Sequence, residues 1–155
     1  MLHVSASLFS VLVSLAALTT QDIEKSFLLN NPRLIHARFS TRDRLNIYLP
    51  EPISFSDQLS DQQAFFLFQN IFRRYSTLEF FPESKISPIS EEGRSFFRAR
   101  WSFRDNTNND RFVFRVFFLL QQEKPPASVH TQGLRPPGLD LPTLWKITEI
   151  KAEKI

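Results

Sequence analysis

An α+β domain, with helices ahead of a mostly antiparallel sheet, is predicted by three observations on the sequence. The first is Phe96–Leu120, FFRARWSFRDNTNNDRFVFRVFFLL, where two alternating runs flank a polar tip. Phe97, Ala99, Trp101 and Phe103 share one face of the first run, and Arg98, Arg100, Ser102 and Arg104 the other. In the second run Phe112, Phe114, Val116, Phe118 and Leu120 oppose Arg111, Val113, Arg115, Phe117 and Leu119. Period two is the strand signature, and Asp105–Asp110 is turn chemistry, because Asn and Asp tolerate left-handed backbone. The second observation is a stripe of Ala64, Phe65, Phe68, Ile71, Phe72 and Tyr75 at helical spacing after Ser60-Asp61. The third is the closing run TLWKITEIKAEKI, which reads as one more strand.

Composition fits a single domain of 155 residues with a real core: 42% hydrophobic, 23% charged. The 17 Phe are the unusual feature. Each can bury roughly 150–250 Å², enough together to fill such a core. A net charge of +3 is too small to argue for nucleic acid. With no Cys there is neither disulfide nor thiolate chemistry.

In chain order, residues 1–20 carry no acidic or basic side chain other than His3. Val4–Leu18 is shorter than the roughly 20 residues of a spanning helix and rich in Ser. It suits a secretory signal, with Ser14 and Ala16 placed for cleavage after Ala16. The alternative is an apolar first helix docked on the domain. The expectation is therefore a signal over 1–20, a single domain over 21–155, export from a bacterial cell, and no membrane span once the signal is removed. From Thr19, read as a cap, a helix should bury Ile23, Phe27 and Leu28. Asn31-Pro32 restarts the helix with an Asn cap and Pro in the first turn, and Leu45–Leu49 is a short strand ending at Pro50. The helix after Ser60 runs to Tyr75, with Phe66 and Leu67 widening its stripe. Residues 78–90 read as an irregular edge strand broken at Pro82 and Pro88. Residues 122–142 hold five of the ten prolines and two of the three glycines, hence a long loop.

Helix, helix, short strand, amphipathic helix and then a strand meander resembles the nuclear-transport-factor-2-like superfamily. The resemblance is carried by DIEKSFLLNNPRLIHARFSTRDRLNIYL (22–49), the helix at 61–72, FRVFFLL (114–120) and WKITEIK (145–151). More narrowly the chain is similar to a bacterial family of small exported domains of unknown function. The resemblance implies a cone: a curved, mostly antiparallel sheet wrapped around three N-terminal helices. Residues 82 and 88 and the Pro-rich loop depart from the continuous hairpin usual in such families.

For chemistry, His3, His36 and His130 show no ligand spacing, so neither metal nor cofactor is expected. Three glycines form no phosphate loop, and no Ser sits in a nucleophile elbow. The resemblance implies relatives that are isomerases and dehydratases using a carboxylate, Tyr or His inside the cone. The corresponding catalytic candidates are His36, Asp43 and Tyr48, although His36 falls on a polar helix side and Asp43 in an RDR turn. So many inward Phe side chains instead predict a filled cone and a non-catalytic binding module. The binding candidates are Arg98, Arg100, Arg104, Arg111 and Arg115. The hairpin register sets Arg100 opposite Arg115 and Arg104 opposite Arg111, an unfavourable pairing unless an acid intervenes. Glu149 and Glu79 are the acids expected to do so. Otherwise the face suits an anionic ligand, an acidic protein partner or a second copy of the chain. Nucleic acid is disfavoured, because aromatics and arginines point to opposite faces.

Overall fold

Alternation in the sequence becomes a long paired hairpin, and everything else is laid against it. The computed structural model describes residues 18–83, 93–123 and 144–155. Its helices are α1 (residues 18–28), α2 (Pro32–His36) and α3 (Asp61–Arg74). Its strands are β1 (Leu45–Leu49), β2 (Phe55–Leu59), β3 (Tyr75–Pro82), β4 (Arg94–Asp105), β5 (Arg111–Glu123) and β6 (Leu144–Lys154). They form one sheet in the order β2-β1-β6-β5-β4-β3, antiparallel except at β1–β6. The result is an α+β cone, with helices on the inner side of the sheet and the outer face left uncovered by them.

The hairpin has the expected register: Trp101 faces Phe114 and Phe103 faces Phe112. Its tip is fixed by Asp105, whose Oδ1 accepts from the Thr107 backbone N–H at 2.9 Å and the Thr107 hydroxyl at 2.7 Å. Asn109 takes the left-handed conformation at φ 64°, which Asn tolerates through its short polar side chain. Phe27 of α1 is the inner hub. Its ring meets Phe68 and Phe72 of α3, Phe80 of β3, Trp101 of β4 and Phe118 of β5.

Capping follows the sequence at two helices. The Asn31 side chain accepts from Arg33 N–H ahead of Pro32. Ser60 and Gln63 form a reciprocal capping box on α3. Thr19 is not a cap: it lies inside α1 and is buried.

Several expectations are corrected. Leu28 and Phe66 are 48% and 56% exposed; each sits at the margin of its helical stripe, where neighbouring turns do not reach. The strand expected from residue 78 starts at Tyr75, which ends α3 and takes extended backbone at φ −112°, ψ 126°. It does end at Pro82 and does lie at the sheet edge; Pro88 is outside the described residues. β2 was not foreseen, because FSDQL offers apolar side chains only at its two ends. β5 continues through Gln122 and Glu123, which were expected to open the long loop; residues 124–143 lie outside the described residues, as do residues 1–17. In β6 both Ile147 and Ile150 are buried. A bulge opposite Leu119 shifts the alternation, so Trp145 and Ile147 face the core before it and Ile150 and Ala152 after it.

Candidate functional site

The inner side of the cone is occupied by its own side chains. Phe27, Phe39, Phe68, Phe97, Trp101, Phe103, Phe114, Phe118 and Trp145 are all less than 2% exposed. The three catalytic candidates are not brought together there. His36 is half-buried on α2, its Nε2 3.3 Å from Asp61 Oδ2 and its ring against Phe39 and Phe65. Asp43 is exposed in the loop before β1, where its backbone N–H donates to the Ser40 hydroxyl. Tyr48 is 48% exposed on the outer face of β1. Among the described residues no group of three His, Cys, Asp or Glu side chains is arranged to hold a metal ion.

The five arginines do share a surface, the outer face of β4 and β5. Arg100 faces Arg115 and Arg104 faces Arg111. The acid that relieves them is neither Glu149 nor Glu79 but Glu83. Pro82 ends β3, yet Glu83 N–H still donates to Arg98 C=O at 2.9 Å. That bond holds Glu83 alongside β4, and its carboxylate accepts from Arg115 Nε at 3.0 Å with Arg98 Nε 3.2 Å away. Sequence spacing could not pick Glu83, because the bulge between Thr77 and Glu79 shifts the register of β3. Arg100 is exposed, lies beside Phe81 of β3, and has no carboxylate within ion-pairing distance among the described residues. Arg104 Nε is buried without a partner. Arg111 lines a cleft of about 380 Å³ with Leu78, Glu79, Ser102, Phe112 and Val113. Phe81 and Phe96 stand 66% and 48% exposed nearby. The surface is therefore cationic with an apolar component, as in faces that hold carboxylate or phosphate groups bidentately.

A buried polar group that the sequence did not single out lies where residues 38–40 run beside β6. Ser40 N–H donates to Ile147 C=O, and Ile147 N–H to Arg38 C=O. The Ser40 hydroxyl donates to the Glu123 carboxylate, and both residues are buried. Lys146 donates to Ala37 C=O at 2.7 Å. Burial pushes its pKa down, and Arg38 adds to that while Glu123 opposes it. A lone Ser and the end of a QQE run carry no periodic or spacing signal, which is why the pair is invisible in sequence.

No protein-family model and no curated protein matches the sequence. Solved structures do match in shape. A ketosteroid isomerase-like protein from Erwinia carotovora atroseptica superposes with TM-score 0.63 at 11% identity, covering 92% of this chain and 95% of that one. A nuclear-transport-factor-2-like protein of unknown function in nutrient uptake from Rhodospirillum rubrum gives 0.57 at 8% identity, covering 90% and 97%. An uncharacterised protein with a cystatin-like fold from Caulobacter vibrioides gives 0.56 at 10%, covering 92% and 88%. At such identities the likeness is one of fold: this chain has the nuclear-transport-factor-2-like, ketosteroid-isomerase-like cone.

Proposed function

We propose that the chain is a non-catalytic binding module whose outer face at β3, β4 and β5 receives an acidic partner surface. The observation that supports it is the division of the molecule into an aromatic-filled inner side and an outer face with Arg100 unpaired and Arg104 Nε orphaned. The exposed Arg100 guanidinium, with no carboxylate in ion-pairing distance among the described residues, can hold a partner's carboxylate bidentately. A second copy of the chain is one such partner, since Glu149 and Glu153 of β6 lie on the same outer face. The charge-free apolar run at residues 4–18 supports a site of action outside the bacterial inner membrane.

The test uses Arg100→Ser combined with Arg111→Ser, two exposed positions away from Glu83. Wild-type protein should bind a polyglutamate peptide in a salt-dependent manner. The double variant should bind it more weakly with unchanged circular dichroism. Light scattering on the same samples reports self-association. If wild type ignores the peptide and stays monomeric, the reading fails.

A second reading, a small-molecule isomerase or dehydratase, is favoured by the buried Glu123–Ser40 pair. A carboxylate held by a hydroxyl in a buried site has the makings of a general base for a proton α to a carbonyl. The name of the Erwinia neighbour points to the same chemistry. Turnover of an enolisable ketone that is lost in Glu123→Gln, with folding retained, would establish it. No turnover in wild type leaves the binding reading standing.

A further inference from the structure

The other half of the outer face, built by β2, β1 and β6, differs in chemistry from the arginine half. Strand register places Ser56, Tyr48, Lys151 and Phe117 in one row across four strands, and Gln58, Asn46, Glu149 and Leu119 in the next. A cleft of about 350 Å³ opens over the first three strands, lined by both rows' polar members. Asn46, Tyr48, Ser56, Gln58, Glu149 and Lys151 make no side-chain hydrogen bond or ion pair among the described residues. Five such polar side chains surround the Tyr48 ring, which is 48% exposed.

Each feature narrows the ligand. On the face of the two rows one carboxylate, Glu149, is balanced by one ammonium, Lys151, so the lining selects for neither an anion nor a cation. The polar rim disfavours an oily molecule. Amides, a hydroxyl, a carboxylate and an ammonium together match a ligand dense in groups that both donate and accept, as hydroxyls do. An exposed aromatic face suits the C–H side of a sugar ring, because the ring's negative face attracts polarised hydrogens. Neighbouring strands lie about 4.8 Å apart. Tyr48 and Phe117, two strands apart in one row, therefore sit roughly 10 Å apart, close to the length of a disaccharide in an extended glycan.

We propose that this face is a saccharide-binding site for a linear, uncharged glycan. One ring stacks on Tyr48, its hydroxyls are held by Asn46, Ser56, Gln58 and Glu149, and the chain runs across the strands towards Phe117. The inference stands apart from the arginine surface and does not need it.

Calorimetric titration of the full chain with cellohexaose, xylohexaose, maltohexaose and chitohexaose tests it. At least one should bind saturably. Tyr48→Ala should weaken that binding about tenfold, the scale of one aromatic stacking contact, whereas Tyr48→Phe should keep most of it. Arg100→Ser should leave it unchanged, which separates this outcome from that of the arginine face. Absence of saturable binding by all four glycans overturns the proposal, as does binding that Tyr48→Ala leaves intact. A wild-type dimer that Tyr48→Ala converts to monomer also overturns it, because the cleft would then belong to an interface between copies.

Discussion

Two side chains show how single residues hold elements in place. Asn30 follows α1 in the left-handed conformation, φ 48°. Its amide donates to Phe72 C=O at 3.1 Å and to Tyr75 C=O at 2.7 Å, and its oxygen accepts from Thr77 N–H at 3.1 Å. One side chain thus satisfies a carbonyl at the end of α3 and imitates a neighbouring strand along the first part of the β3 edge. An unpaired edge is a template for aggregation, and Pro82, with no N–H, blunts the other end of the same edge. Asn30→Ala should cost about 2–3 kcal/mol in urea unfolding, from lost hydrogen bonds plus left-handed strain. Asn30→Gly loses the same hydrogen bonds but carries no left-handed strain, so it should cost less. Equal losses would mean that the backbone is unstrained. Asp105 is the second case. The Arg74 hydrogen bond first, then the two Thr107 donors, hold its pKa down to about 2 from the ordinary 3.8. A lowered folded pKa means that ionisation favours the folded state. That contribution is full above pH 3.8 and is lost as pH falls through about 2. Melting temperature followed across this window should fall less steeply in Asp105→Asn than in wild type.

At the scale of elements, the hairpin was legible because periodicity and turn chemistry agree over its whole length. Trp101 and Phe114 face each other and both are buried. Trp101 Nε1 also donates to Thr77 Oγ1 at 2.9 Å. Truncating either ring to Ala should cost about 3–5 kcal/mol, measured by chemical denaturation; Trp101→Phe should recover most of the packing but not the bond to Thr77. A loss below about 1 kcal/mol for both Ala variants would place the core on the opposite face of the hairpin. What the sequence hid are breaks in alternation. The bulges in β3 and β6 each shift the face of every following residue. Hence Glu83, not Glu79 or Glu149, meets the arginines, and hence Ile147 and Ile150 can both be inside. β2 escaped notice for a different reason: an edge strand exposed on both faces needs no apolar alternation. The surface arginines were legible as a set, since they occupy the complementary phase of a strongly patterned hairpin. The Tyr48 cleft was not, because its residues come from three strands of which one was unforeseen.

For the whole molecule, the choice between a binding module and an enzyme turns on whether the cone has room. Phe27 contacts five other aromatic side chains drawn from α3, β3, β4 and β5. Its ring joins α1 to β4 and β5 through Trp101 and Phe118. Protein interiors are close-packed, and neighbours relax only partly into a void. Phe27→Ala should therefore cost about 3–5 kcal/mol and leave an apolar cavity walled by Phe68, Phe72, Phe80, Trp101 and Phe118. Cavities of that kind stay dry and admit benzene. A ligand that binds only the folded state raises the melting temperature, so benzene-saturated buffer should stabilise Phe27→Ala and leave wild type unmoved. Stabilisation of wild type by benzene would show that the cone already has an apolar chamber. In that event the cone would have room for a small apolar molecule, and the catalytic reading would gain over the binding one.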